Sequence, residues 1–242
     1  MFIHYRTLGL VLRKENRGEA DQLFSFYTKD FGKLEILGKA IRKISSKLRS
    51  GANLFYLSEI EFIQGKAYKT LTDAILIDKF ENLRKDLKRL AIAYKISEVL
   101  DDLIRDQEKD NKVWHLILET FNKLNSLALS QFNYFLIYYY FLWNLFSVLG
   151  YQPEIYNCFF CQRRLEPKRI YFSLKEGATV CNECSRKTKE AIIINEGLVK
   201  VLRIILKKDW STFRRLKIEN SQKKLLKEIS ESYLGFVSEQ NK

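Results

Sequence analysis

The run Leu23-Phe24-Ser25-Phe26-Tyr27 follows an alternation of Leu8, Leu10 and Leu12 and precedes an extended segment from Lys33 to Gly38, the two-residue period of β-strands. Asn53 to Ile63 and Tyr68 to Ile77 are further candidate strands. Asn16-Arg17-Gly18, Lys29-Asp30-Phe31-Gly32 and Gln64-Gly65-Lys66 supply turns between them. Strands this short and closely spaced predict a small closed barrel over residues 1–80, of which the OB-fold is the common five-stranded form.

Beyond residue 80 the period lengthens. Leu83, Leu87, Leu90 and Tyr94, continued by Ile96, Leu100, Leu103 and Ile104, trace one face of a helix from Asn82 to Asp106. Asp110 or Asn111 can cap a second helix carrying Leu116, Ile117, Phe121 and Leu124. An apolar helix over 133–149 stops at Gly150, with Pro153 beyond it. Asn195 can cap a helix with Leu198, Val201, Leu202 and Ile205, and a last helix carries Leu225, Leu226, Ile229, Tyr233 and Phe236. The expected fold is α+β: an OB-fold barrel at 1–80, one helical bundle from 81–152 and 190–242, and a module inserted at 153–189.

That module holds all four cysteines, as Cys158-Phe159-Phe160-Cys161 and Cys181-Asn182-Glu183-Cys184. Two residues between partners let both thiolates of a pair face one tetrahedral centre, the spacing of a zinc ribbon or knuckle. Disulfides, a redox dithiol and an iron–sulfur cluster are the competing uses of such pairs. Four thiolates leave no open coordination position, so one zinc ion here is expected to be structural. Reduced thiols fit a cytoplasmic protein, and Met1 to Arg6 has no signal-peptide pattern. Tyr134 to Leu149 is short of the roughly 20 residues of a spanning helix and contains Tyr138, Tyr139 and Tyr140, which predicts burial in protein rather than in a membrane.

The 242 residues carry 42 Lys and Arg against 29 Asp and Glu, a formal charge of +13 that attracts polyanions. Placement is informative. Lys39, Arg42, Lys43, Lys47 and Arg49 lie between Ile36 and Ser58 without an acidic residue, and Lys33 precedes them. Phe24, Phe26, Tyr27 and Phe31 are close by, and cations beside stacking rings are the elements of single-strand binding, although barrel aromatics more often fill the core. A second basic region, Lys207 to Lys227, contains Arg214, Arg215 and Lys217 with Trp210 and Phe213, two rings expected to anchor structure. Only His4 and His115 are present, and no phosphate loop, nucleophile triad or carboxylate cluster can be assembled, so no catalytic residue is expected. A zinc-containing nucleic-acid enzyme and a basic membrane-surface or scaffold protein are the rival classes.

The chain resembles the RecO family of bacterial recombinational repair proteins. Gly9-Leu10-Val11-Leu12, Arg17-Gly18-Glu19-Ala20-Asp21 and Thr28-Lys29-Asp30-Phe31-Gly32 are similar to its first strands and turns, and the segment from Gly38 to Leu48 to its basic loop. Leu145 to Pro153 leads into the first cysteine pair, and Phe172 and Gly177 precede the second, as in the family. Ala40 stands where glycine is common and Ser45 where lysine is frequent. The resemblance implies binding of single- and double-stranded DNA and annealing of complementary strands. It also implies cooperation with RecR and with the C-terminal tail of the single-stranded DNA-binding protein to load RecA, at the nucleoid and without a membrane.

Overall fold

The computed structural model describes residues 3–65, 67–104, 107–126, 134–166 and 169–240. Lys66, Asp106 and the expected helix start at 133 lie outside the described residues. The chain divides into two compact units, Met1–Tyr134 and Phe135–Lys242.

In the first unit β1 (His4–Arg17), β2 (Asp21–Thr28), β3 (Gly32–Gly38), β4 (Leu57–Gln64) and β5 (Lys69–Asp78) form a closed barrel in the order β1-β2-β3-β5-β4. β1 is long enough to pair with β4 through His4 to Leu10 and with β2 through Gly9 to Arg17, with an irregularity between Val11 and Arg13 that turns it from one partner to the other. The barrel closes where β3 runs parallel to β5, Ile36 beside Lys69 and Leu37 beside Thr70. Val11, Phe24, Phe26, Leu34, Ile36, Ile60, Phe62, Leu71 and Ala74 fill the interior. This is the barrel that the period-two runs predict.

β2 is buried on both faces. Phe24 and Phe26 point inward, while Tyr27 on the other face stacks on Trp114 at 6.4 Å. That ring belongs to α3 (Asn111–Asn125), which with α1 (Glu81–Lys85) and α2 (Leu87–Leu103) shares the barrel's unit. The single helix expected over 82–106 is divided at Asp86, whose backbone is extended and whose side-chain carboxylate accepts the N–H groups of Lys88 and Arg89 and caps α2. Asp110 caps α3 in the same way.

Asn53 to Tyr56, expected as the start of a strand, instead make a turn outside the sheet. Phe55 adopts a left-handed backbone (φ 58°) and packs on Tyr94 at 5.2 Å and Phe121 at 5.6 Å. Burying a phenyl ring stabilises by about 2–3 kcal/mol, more than the roughly 1–2 kcal/mol cost of the left-handed conformation. Burial wins, and the strand begins at Leu57.

The second unit comprises α4 (Tyr134–Val148, from Phe135 on), a three-stranded sheet β7-β6-β8 (β6 Ile170–Ser173, β7 Ala178–Cys181, β8 Ala191–Ile194), α5 (Glu196–Leu206), α6 (Trp210–Arg215) and α7 (Asn220–Gln240). The apolar α4 is buried on nearly every side from Leu136 to Phe146. Its Trp143 donates Nε1–H to Ser230 at 2.9 Å and sits among Phe146, Phe172 and Tyr233, with ring centroids at 5.5, 5.8 and 5.6 Å. Asn195 caps α5 through the N–H of Leu198. Among the described residues no helix is long and apolar enough to cross a membrane.

Candidate nucleic-acid interface and metal centre

The segment from Lys39 to Tyr56 connects β3 to β4 across one end of the barrel. Three of its apolar residues are pins: Ile41 (1 % exposed) and Ala52 belong to the barrel core, and Leu48 packs against it. Gly51 lies so close to β5 that a Cβ there would stand 1.9 Å from the Ala74 carbonyl oxygen, and its own carbonyl accepts the Ser58 hydroxyl at 2.5 Å. With these residues turned inward, Lys39, Arg42, Lys43, Lys47 and Arg49 all face solvent. Among the described residues none of the five has an acidic partner. Pins and outward cations thus share a stretch of under 20 residues, as counted from Lys39 to Tyr56, and Arg42 and Arg49 meet at one cavity.

The β1–β2 turn fixes this loop. The Asp21 carboxylate accepts the Ala40 N–H at 2.7 Å, the Ala20 carbonyl accepts the Arg42 N–H at 2.9 Å, and the Gly18 carbonyl accepts the Arg42 guanidinium at 3.2 Å. Ala40 itself holds a left-handed backbone, φ 51°. The two sequence motifs, Arg17 to Asp21 and Gly38 to Leu48, are therefore halves of one structure.

Lys33 is placed differently. Its ammonium pairs with Asp101 at 2.6 Å and donates to the carbonyls of Asp101 and Ile104 at 3.3 and 3.2 Å, closing the C-terminal end of α2 against β3. It is half-buried and its donors are engaged in holding the fold. The barrel aromatics are also structural: Phe24, Phe26 and Tyr27 are buried, and Phe31 meets Tyr5 and Phe62 edge-on at 5.7 and 5.6 Å. Phe24, Phe26 and Tyr27 offer no open face to a base, and Phe31 is partly buried against the core.

One cation escaped the sequence pattern. Lys14, on β1, joins Arg42, Arg49, Gln22 and Asn53 around an open cavity of ≈ 240 Å³, its ammonium 2.6 Å from Asn53 Oδ1. Partial burial, and then the nearby Arg84 guanidinium, hold its pKa below the usual lysine value. Only the bulge in β1 and the fold-back of the loop bring it there, and neither is visible as a run of charge.

In the second unit Arg215 and Lys217 are exposed, and the side chain of Arg214 lies outside the described residues. Trp210 and Phe213 stack on each other at 4.7 Å and pack against Tyr140, so this pair anchors α6 to α4.

The cysteines converge. All four thiols are free, and their sulfurs lie within 4.8 Å of one another. Tetrahedral zinc at about 2.3 Å from each thiolate would space the sulfurs about 3.8 Å apart, and Cys161 and Cys181 stand at 3.9 Å. Cys158 and Cys161 flank a tight turn in which Gln162 N–H returns to the Cys158 carbonyl; Cys181 ends β7, and Cys184 N–H returns to the Cys181 carbonyl. The Cys181 N–H also points at Cys158 Sγ, 3.4 Å away. Donors on Arg163, its backbone N–H first, bring the Cys161 thiol down to about 6, whereas burial pushes Cys184 up to about 12. A divalent cation is the partner that would let all four ionise together, and the donor set fits a metal ion with no position left over. Among the described residues its apolar surroundings are Val180, Phe160, Leu165 and Tyr171, a small core for the module.

Comparison with known proteins supplies the family. Residues 1–80 match the model of the Recombination protein O N terminal family, and residues 84–242 that of the Recombination protein O C terminal family. A DNA repair protein RecO of Dehalococcoides mccartyi is 33% identical over 214 residues, covering 88% of this chain and 83% of that protein. One from Acetivibrio thermocellus is 28% identical over 238 residues, 98% of this chain and 93% of that protein. With both terminal models matched along nearly its whole length, the chain belongs to the RecO family of DNA repair proteins.

Proposed function

We propose that this chain is a non-enzymatic mediator that binds DNA by its sugar-phosphate backbone, anneals complementary strands and, with RecR, helps to load RecA onto single-stranded DNA. The observation that carries this reading is the outward set of Lys39, Arg42, Lys43, Lys47 and Arg49, free of acidic partners among the described residues and mounted on a pinned loop. Lys14 extends the set at the cavity; Lys33 does not belong to it. Cations offset the repulsion between two polyanionic strands, and because the barrel rings are buried the bases stay free to pair. Arg215 and Lys217 are candidates for a separate contact to the same polymer.

The metal in this reading is zinc held by Cys158, Cys161, Cys181 and Cys184. It closes the module at 158–184 and takes no part in chemistry. The protein would act in the cytoplasm at the nucleoid, recruited in part by the acidic C-terminal tail of the single-stranded DNA-binding protein. The decisive experiment is strand annealing on DNA already coated by that binding protein, with and without its tail, at two salt concentrations. Annealing without ATP that weakens with salt and with loss of the tail is expected. DNA cleavage or an ATP requirement would refute the non-enzymatic reading.

A further inference from the structure

Ile44 is 94 % exposed, more than any other large apolar residue among those described. A single exposed aliphatic side chain is ordinary on a protein surface. The construction beneath this one is not. Ala40 and Lys43 close one hydrogen-bonded turn (Lys43 N–H to Ala40 O, 3.1 Å), Lys43 and Ser46 close the next (3.0 Å), and a 3-10 turn over Lys47–Ser50 follows. Ile44 stands at the first corner of the middle turn, so the backbone holds it away from the barrel, while Ile41 on one side and Leu48 on the other are drawn into or against the core. Arg42, Lys43 and Lys47 flank it in the sequence, exposed and without an acidic partner among the described residues.

We infer that Ile44 is an apolar wedge that enters a base step of double-stranded DNA while Lys43 and Lys47 hold the neighbouring phosphates. The inference rests on the DNA-binding reading above and adds a contact to the bases that phosphate binding does not require. Aliphatic side chains that enter a base step partly unstack it and kink the duplex, and the cost is lowest at flexible pyrimidine–purine steps. The flanking cations would supply the attraction that carries the loop into the groove, and burial of the sec-butyl group between bases would offset part of the unstacking. An anionic membrane is the less suitable partner. Insertion into lipid needs several apolar groups on one face, and the other apolar residues between Ile41 and Ala52, which are Ile41, Leu48 and Ala52 themselves, are committed to the barrel.

The test uses the full-length protein with its metal and a duplex carrying 2-aminopurine at a central TA step, with end-to-end energy transfer to report bending. Wild-type protein should raise the 2-aminopurine fluorescence and shorten the end-to-end distance. Ile44→Ser should abolish both signals and weaken binding to this duplex by about three- to tenfold, with an unchanged salt slope, because the cations remain. Ile44→Leu should restore them. The residue makes no packing contact that folding depends on, so both variants should melt with the wild type. Full unstacking by the serine variant overturns the wedge. Loss of binding to phosphatidylglycerol vesicles, with DNA signals intact, overturns it in favour of a membrane. If wild-type protein shows no salt-dependent DNA binding, the underlying DNA reading fails as well, which the serine variant alone could not cause.

Discussion

Replacing Lys43 and Lys47 together by glutamine removes two charges that face solvent and have no side-chain partner among the described residues, so the change should reach DNA binding and little else. Each phosphate neutralised on a single strand contributes about −0.7 to the slope of log K against log salt. Five loop cations therefore predict a slope of about −3.5, and the double variant about −2.1. Between 50 and 200 mM salt the wild type should lose about 100-fold in affinity and K43Q/K47Q about 20-fold. Fluorescence anisotropy of a labelled oligonucleotide, titrated at four or more salt concentrations, reads both slopes.

The control is Lys33→Gln. It lies in the same barrel and has the same charge, but its ammonium is held by Asp101 and by the carbonyls that end α2. It should leave the slope alone and lower stability by about 1–3 kcal/mol, the cost of leaving a half-buried carboxylate and helix carbonyls without their donor. Equal slopes for K43Q/K47Q and wild type, or a flattened slope for K33Q, would refute the assignment of the DNA surface to the loop.

Ala40→Gly should raise stability in urea by up to about 1 kcal/mol, since relief of a left-handed alanine outweighs the extra freedom of glycine in the unfolded chain; a destabilised variant would mean that the φ of 51° is not held in solution. Gly51→Ala should cost about 3 kcal/mol or more, because its Cβ meets the Ala74 backbone and not a movable side chain; near-wild-type melting would contradict the packing of the loop on β5. Cys181→Ser should lose the metal and collapse the amide dispersion of residues 158–184 in NMR spectra while oligonucleotide affinity stays within about twofold; stoichiometric zinc retained by the variant would exclude a four-thiolate site. Hydrogen bonds from the Thr212 and Ser211 hydroxyls, then from the Thr212 backbone N–H, bring the Asp209 carboxyl down to about 2. Since its folded pKa lies below the unfolded one, the α6 cap it provides is complete above about pH 4 and lost as pH falls through 2. The Thr212 amide shift should titrate with that midpoint, and an ordinary carboxylate midpoint near 4 would remove Asp209 as the cap.

Parts of this structure were legible because their signal is local. Alternating Leu34, Ile36 and Gly38 or Ser58, Ile60 and Phe62 announce one buried face of a strand, and Asp110 and Asn195 stand where a helix needs an acceptor for its first N–H groups. The cysteine pairs carry their spacing with them. What failed to show was decided by distant residues. Phe55 leaves its strand for Tyr94 and Phe121, and Lys33 turns from solvent because the end of α2 stops beside β3. Grouping every helix into one bundle followed from their common period, but Tyr27 and Trp114 show α3 packed on the barrel wall, a preference that no helical stripe encodes. Asp86 looked like one more polar position on a continuous stripe; it interrupts the helix because its side chain competes for the N–H groups of Lys88 and Arg89.

The burial of the barrel rings bears on mechanism as much as on fold. A barrel that stacks bases on exposed aromatics gains about 1–3 kcal/mol for each base held, and a strand gripped that way must release its bases before it can pair with another. Phe24, Phe26 and Tyr27 are closed off on both faces of β2, so that source of affinity is missing from these positions. Binding through the loop would instead come from counterion release, strong at low salt, weak per nucleotide and indifferent to sequence. Such a contact slides and exchanges easily, which suits a protein that must bring two strands together and then leave. It also has a cost: at physiological salt a handful of lysines and arginines holds DNA poorly, so a protein built this way depends on partners already on the DNA to bring it there. Annealing of bare strands should therefore fade with salt sooner than annealing of strands coated with their binding protein, and the gap between the two curves measures how much of the affinity is borrowed.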